Sequence, residues 1–170
     1  MLGTDLTTIP GIDASSALKL ISEIGLDIKK WPTAKHFCAW LGLCPGTRIS
    51  GGRRLNSRTS HSSNRAAKLL RMAASSLYRN ESIFGVHLRR MKARMGKVEA
   101  ITATAHKMAR TLYYMMVRQT DFEDPGVDYY ANLNKEKTLR YLRKKAESLG
   151  YTLEKEKIHA LITSNLREVT

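Results

Sequence analysis

Apolar residues recur along most of this chain at helical intervals, and the places where that rhythm stops mark its elements. Ala17, Leu20, Ile21 and Ile24 fall on one face of a helix. Asp13 suits its N-cap and Gly25 its end. Ahead of it, Pro10-Gly11 reads as a turn. Thr33 can cap a second, short helix over Ala34 to Leu41, closed by Gly42. From Asn64 the period returns: Ala66, Leu70, Ala73 and Leu77 line one face, with Arg65, Lys68, Arg71 and Arg79 along another. Phe84, Leu88, Met91 and Met95 form the next stripe, up to Gly96. Val98, Ile101, Ala105, Met108, Leu112 and Met115 follow a 3-4-3-4-3 spacing, the clearest helix of the chain. At roughly six turns it is the expected spine of the fold. After Asp121 to Asp128, which reads as a linker, Leu139, Leu142, Ala146 and Leu149 predict another helix ending at Gly150. Ile158, Leu161, Ile162 and Leu166 predict the last.

One stretch breaks the rhythm. Cys44 to Ser63 is rich in Gly, Ser, Thr, Asn and Arg and nearly empty of apolar residues. It can bury little, so it is expected to be a loop or a small hairpin turning at Gly51-Gly52. The expected class is therefore all-α: a helical bundle with this Gly/Ser/Arg-rich segment between its helices. The expected division is a domain over residues 1–122 and a helical extension over 123–170.

Composition changes the picture through charge. The net charge is +14, from 29 Lys plus Arg against 15 Asp plus Glu. From Ile28 to Asn80 there is no acidic residue, while Lys29, Lys30, Lys35, Arg48, Arg53, Arg54, Arg58, Arg65, Lys68, Arg71 and Arg79 are all basic. A surface tuned for solubility mixes both signs. A one-signed block of this length suits a polyanion, with phosphate neutralisation supplying affinity. Nucleic acid is the favoured partner, ahead of an anionic membrane surface or an acidic protein. No apolar run reaches the roughly 18 residues of a membrane span, and Met1 to Thr8 lacks the features of a signal peptide. A soluble, cytoplasmic protein is expected. Cys38 and Cys44 make no metal-ligand pattern and read as small hydrophobes. The histidines, His36, His61, His87, His106 and His159, show no ligand spacing either. Tyr113-Tyr114 and Tyr129-Tyr130 can stack on bases, though packing explains them as well.

Two segments carry candidate chemistry. Ile9-Pro10-Gly11-Ile12, with Ala17 downstream, has the form of the hairpin in a helix-hairpin-helix element, where backbone N–H groups at a helix start approach a DNA phosphate. Gly11 is its candidate contact. Asp13 stands where a second glycine is usual; its carboxylate caps the helix and repels phosphate, so a purely structural hairpin stays open. The first helix of such an element has no room before Leu6, and the chain is expected to be a piece of something longer. The second segment holds Leu41-Gly42-Leu43-Cys44-Pro45, then Ser50-Gly51-Gly52-Arg53-Arg54, Ser63-Asn64-Arg65 and Leu70-Arg71-Met72-Ala73-Ala74.

In their order and spacing these segments, with Gly96-Lys97 and Ala100 to Ala109 beyond them, resemble the C-terminal domain of the insertion-sequence 110 type transposases, which include bridge-RNA-guided recombinases. The likeness runs from about Leu6 to Phe122. Ser63 stands where a glycine is usual, and His61 where a basic residue often is. The resemblance implies DNA cutting and rejoining shared between two domains: an N-terminal DEDD metal site, absent here and expected to hold Mg²⁺, and a serine from this domain, matched by Ser50. It also implies DNA as substrate, a guide RNA as a candidate partner, and a homo-oligomer when assembled on DNA. No cofactor is expected in this chain itself. The residues are consistent with that chemistry. A serine hydroxyl needs help to act as nucleophile. Gly51 and Gly52 clear side chains from beside it, and Arg48, Arg53 and Arg54 can pair with a phosphate. The candidate nucleic-acid contacts are Gly11, Arg48, Gly51, Gly52, Arg53, Arg54, Arg58, Arg65, Lys68 and Arg71. Two alternatives stand beside this: Ser50 simply starts a β-turn, and the chain is a non-catalytic module gripping phosphates. Ser57 and Ser60 are the reserve nucleophiles.

Overall fold

The computed structural model describes residues 3–46, 48–56, 59 and 63–154. The expected last helix around Ile158 to Leu166 lies outside them, as do Ser57, Arg58, Ser60 and His61. The described chain is mostly helical: α1 (Ala14–Ile24), α2 (Ala34–Trp40), a hairpin of β1 (Arg48–Ser50) and β2 (Arg53–Asn56), then α3 (Arg65–Ser76), α4 (Ile83–Met95), α5 (Lys97–Arg118) and α6 (Val127–Ser148). Short 3₁₀ turns sit at Leu6–Thr8, Ile28–Lys30 and Leu77–Arg79. The chain divides into two compact units, Met1–Val127 and Asp128–Thr170.

In the first unit α5 is the centre, packed by α2, α3 and α4. Ala105, Met108, Ala109 and Leu112 have no solvent exposure, which is what a helix with neighbours on several sides requires. α3 packs on it and buries Ala66, Ala67, Leu70 and Ala74, mostly small side chains that suit a close helix approach. α1 packs on α3, burying Leu20 and Ile24 in the same core. Each helix start of this unit up to α4 is capped by a short polar side chain. Asp13 accepts from Ser16 N–H (2.7 Å), Asn64 from Ala67 N–H (3.2 Å) and Ser82 from Gly85 N–H (3.4 Å), while Thr33 accepts from His36 N–H (3.4 Å).

Three departures from the periodic reading have local causes. Val98 is 72% exposed, because the first turn of α5 lies before the buried stretch that opens at Ala100. Met95, in the last turn of α4, is exposed too, beyond that helix's last buried residue, Leu88. The stretch after α5 is no free linker at its start. Asp5 N–H donates to Asp121 (2.7 Å), Phe122 N–H donates to Thr8 Oγ1 (3.1 Å) and Ile83 N–H donates to Asp124 (2.8 Å). The Phe122 ring lies 5.3 Å from that of Phe84. Thr120 to Asp124 thus ties the N-terminal turn and the start of α4 to the end of α5.

In the second unit, α6 is about 33 Å long at 1.5 Å per residue. It ends with Tyr151 N–H donating to Ala146 O (2.9 Å) across Gly150, a Schellman-type stop. Leu139 and Leu142 on it and Leu149 just past its end are exposed, and Ala146 is half-buried.

Candidate nucleic-acid interface

The acid-free segment produces a hairpin standing between two helices. β1 and β2 pair antiparallel, with Ser50 opposite Arg53, Ile49 opposite Arg54 and Arg48 opposite Asn56. The register shift beside Arg48 leaves one extra residue on β2, a bulge. An isolated bridge between Pro45 and Thr59 continues the pairing. Gly51 and Gly52 both have positive φ, 55° and 74°, the two-residue type I′ geometry that glycine adopts at no steric cost. A side chain added at either would meet nothing within 4 Å. Ser50, Gly51, Gly52 and Arg53 are all exposed. Because Ser50 and Arg53 are direct cross-strand partners, their side chains share one face of the hairpin. The tip therefore offers a hydroxyl beside a guanidinium, next to backbone that another chain can approach without obstruction. Arg48 and Arg54 are fixed here by their backbone pairing; Arg58 lies outside the described residues.

α3 supplies the helical part of the basic surface. Arg65 and Lys68 are exposed on its outer face, above a groove of about 390 Å³ shared with Lys19, Ser22, Glu23, Leu69 and Met72. Arg65 lies 3.5 Å from Glu23 of α1, an exposed pair too weak to withhold the guanidinium from a phosphate. Arg71 is different. It is half-buried and donates to the Gly42 carbonyl at 3.5 Å, tying α3 to the turn after α2. Its first task is structural, whatever it adds to the surface.

Gly11 sits at the turn before α1 with φ of 85°. A methyl there would come within 3.0 Å of the Ala73 carbonyl and 3.1 Å of Leu77 Cδ2, so close packing on α3 already accounts for the glycine. Asp13 beside it is held below the usual carboxylate range by its hydrogen bonds to Ser16.

Among the described residues, the cysteines and histidines are held by burial or by polar neighbours. Burial pushes the Cys38 thiol up to about 12, with Cys44 adding to the rise. Burial raises Cys44 too. Neither is a ready thiolate at neutral pH. His36 bonds Thr33 (2.8 Å), His87 bonds Thr104 (3.1 Å), and His106 Nε2 lies 3.9 Å from Cys44 Sγ. Burial lowers His87 to about 4, helped by Lys107, Arg90 and His106. Among the described residues no group of three or more His, Cys, Asp or Glu is placed to hold a metal, and no helix is long and apolar enough to cross a membrane.

Some features had no sequence signal. The Arg65–Glu23 and Arg71–Gly42 contacts join residues 42 and 29 positions apart. The packing of Trp40 on the rings of Trp31 and Phe37 likewise joins residues that no periodic spacing pairs.

No curated protein and no protein of solved structure matches the chain. The family model described as Transposase IS116/IS110/IS902 family matches residues 3–86, the stretch that holds the turn at Gly11, α1, α2, the hairpin, α3 and the opening of α4. Over residues 3–86 the chain is similar to the transposase domain that this family model describes.

Proposed function

We propose that this chain is the DNA-binding, serine-presenting C-terminal part of a transposase that cuts and rejoins DNA. Ser50 is the nucleophile; Arg48, Arg53, Arg54, Arg58, Arg65 and Lys68 grip the phosphates around it. One observation carries the reading: an exposed serine is the cross-strand partner of an exposed arginine at an unobstructed two-glycine turn. In the step proposed, Ser50 Oγ bonds to a backbone phosphorus as one strand's P–O bond breaks. Ser50 gives up its hydroxyl proton and the departing DNA oxygen takes one up, so one P–O bond replaces another and the energy of the phosphodiester is kept in the protein–DNA link. Arg53, on the same face, offsets charge developing on the phosphate oxygens.

Mg²⁺, which the resemblance to DEDD-bearing transposases implies, does not fit a site among the described residues of this chain. We assign it to a separate acidic domain and route no step through it. DNA is the proposed partner, with a guide RNA and further copies of the protein joining on the DNA.

Binding tests the first half of this reading. If Arg48, Arg53, Arg54, Arg58 and Arg65 each meet a phosphate, log K for a duplex against log salt slopes by about −4 to −5. A slope near zero overturns the nucleic-acid surface. This chain alone binds supercoiled plasmid without nicking it, with or without Mg²⁺. Metal-dependent nicking that survives Ser50→Ala contradicts the assignment.

A further inference from the structure

The transposase reading leaves unused a cluster of aromatic rings that begins and ends at the surface. Trp31 and Trp40 have ring centroids 4.8 Å apart, and Trp40 lies nearly parallel to Phe37 at 6.0 Å. Phe37 meets Tyr113 at 5.8 Å, and Tyr113 meets Tyr114 at 5.6 Å. Phe37 is fully buried and Tyr113 nearly so, whereas Trp40 and Tyr114 are each 40% exposed. The middle of this chain of rings is fixed: Tyr113 Oη donates to the Trp31 carbonyl at 2.9 Å, pinning α5 to the turn before α2. Trp40 is therefore a broad apolar ring held open to solvent on a rigid backing. At the other end the Arg118 guanidinium lies 5.3 Å from the Tyr114 ring centre, a cation–π arrangement.

The electrostatic setting says what such rings suit. Trp31 and Trp40 lie in the acid-free segment, with Lys29, Lys30 and Lys35 around them in sequence. The nearest preceding acid, Asp27, accepts from Lys29 N–H at 3.0 Å and so caps its own turn. Between Ser82 and Thr120 the only acidic residue is Glu99, at the first turn of α5. A hydrophobic protein segment would be served by apolar neighbours; exposed rings among unopposed cations suit flat bases on a phosphate backbone.

We propose that Trp40, backed by Trp31 and Phe37, and Tyr114 with Arg118 form a stacking platform for unpaired bases of a DNA strand. It is distinct from the hairpin, where backbone phosphates are gripped. The inference rests on the nucleic-acid reading above and extends it from duplex backbone to exposed bases. A strand-exchange reaction generates such bases whenever the duplex opens.

The test uses the two tryptophans, which are both in this cluster. A mixed-sequence single-stranded DNA oligonucleotide is titrated into the protein while tryptophan emission is followed. A duplex of the same length and an RNA of the same sequence serve as parallel arms. The single strand quenches emission and the duplex does so weakly. Trp40→Leu, which keeps an apolar cover over Trp31 and Phe37, weakens single-strand binding about tenfold, in line with the loss of one stacked base. It leaves duplex binding within twofold. Tyr114→Ser reproduces the selective loss without touching a tryptophan. Equal weakening of single strand and duplex, or no change in either variant, overturns the platform while leaving the hairpin reading intact. Quenching by RNA alone overturns the assignment to DNA. Failure of the unaltered protein to bind duplex at all is the separate failure of the nucleic-acid reading.

Discussion

Gly85→Ala sets two known effects against each other at the junction of α3 and α4. Replacing glycine by alanine inside a helix normally stabilises by about 0.5–1 kcal/mol, and Gly85 lies in the first turn of α4. The space beside it is not empty. A methyl there would overlap the Asn80 carbonyl oxygen and stand 2.7 Å from that of Leu77. Both belong to backbone, so no side-chain rotation relieves the clash. The same carbonyl cluster is held from the other side by Arg89, which donates to Tyr78 O (2.9 Å) and Asn80 O (2.8 Å). Moving α4 away costs about 1–3 kcal/mol of packing, and weakening one charge-assisted bond of Arg89 adds about 1.5 kcal/mol. Against the propensity gain, the net loss is about 3 kcal/mol. At about 3 °C per kcal/mol for a chain of this size, the thermal midpoint falls by about 9 °C, read by circular dichroism at 222 nm. A midpoint unchanged or raised in Gly85→Ala would refute this account of the junction.

Other outcomes follow from the same contacts. Tyr113→Phe removes the hydroxyl that reaches the Trp31 carbonyl and costs about 1 kcal/mol in urea unfolding; no loss would mean that the bond contributes nothing. His87, held neutral by burial down to about 4, has a folded value below its ordinary value near 6.5. Its contribution to stability is full above pH 6.5 and is lost as pH falls toward 4. His106 is shifted the same way by burial and Arg110. Urea midpoints at pH 7 and pH 5 therefore differ, and His87→Gln narrows the gap; an equal gap in the variant would contradict the assignment. Glu23→Gln frees Arg65 from its acidic neighbour and raises duplex affinity about twofold at low salt, with a filter-binding titration as the check. A fall in affinity would show that Glu23 positions Arg65 for DNA rather than competing for it.

What the sequence made legible was whatever obeys a local rule. The spacing from Ile101 to Met115 announced α5, and Asp13 and Thr33 announced helix starts, because caps and periods act within a turn or two. Gly51-Gly52 announced the hairpin turn for the same reason. Contacts that join distant segments left no such trace. Nothing local predicts that Asp121, Phe122 and Asp124 close onto the N-terminal turn and α4. Nor does it predict that Arg71 turns toward the Gly42 carbonyl while Lys68, three residues earlier, stays exposed. The serine at the tip was singled out by resemblance; its cross-strand pairing with Arg53 needed the fold.

The most direct measurement of the central claim is the position of a covalent bond. In the full-length transposase acting on its DNA, a protein–DNA adduct that resists denaturation is digested and mapped by mass spectrometry. The account predicts the adduct on the peptide containing Ser50. It also predicts that Ser50→Ala abolishes both adduct and strand exchange while DNA affinity stays within about twofold, since one neutral hydroxyl adds at most ~1 kcal/mol to binding. An adduct at Ser57 or Ser60, or recombination that persists in Ser50→Ala, would contradict the assignment. No adduct in any competent complex would leave this domain a phosphate clamp and not a source of the nucleophile.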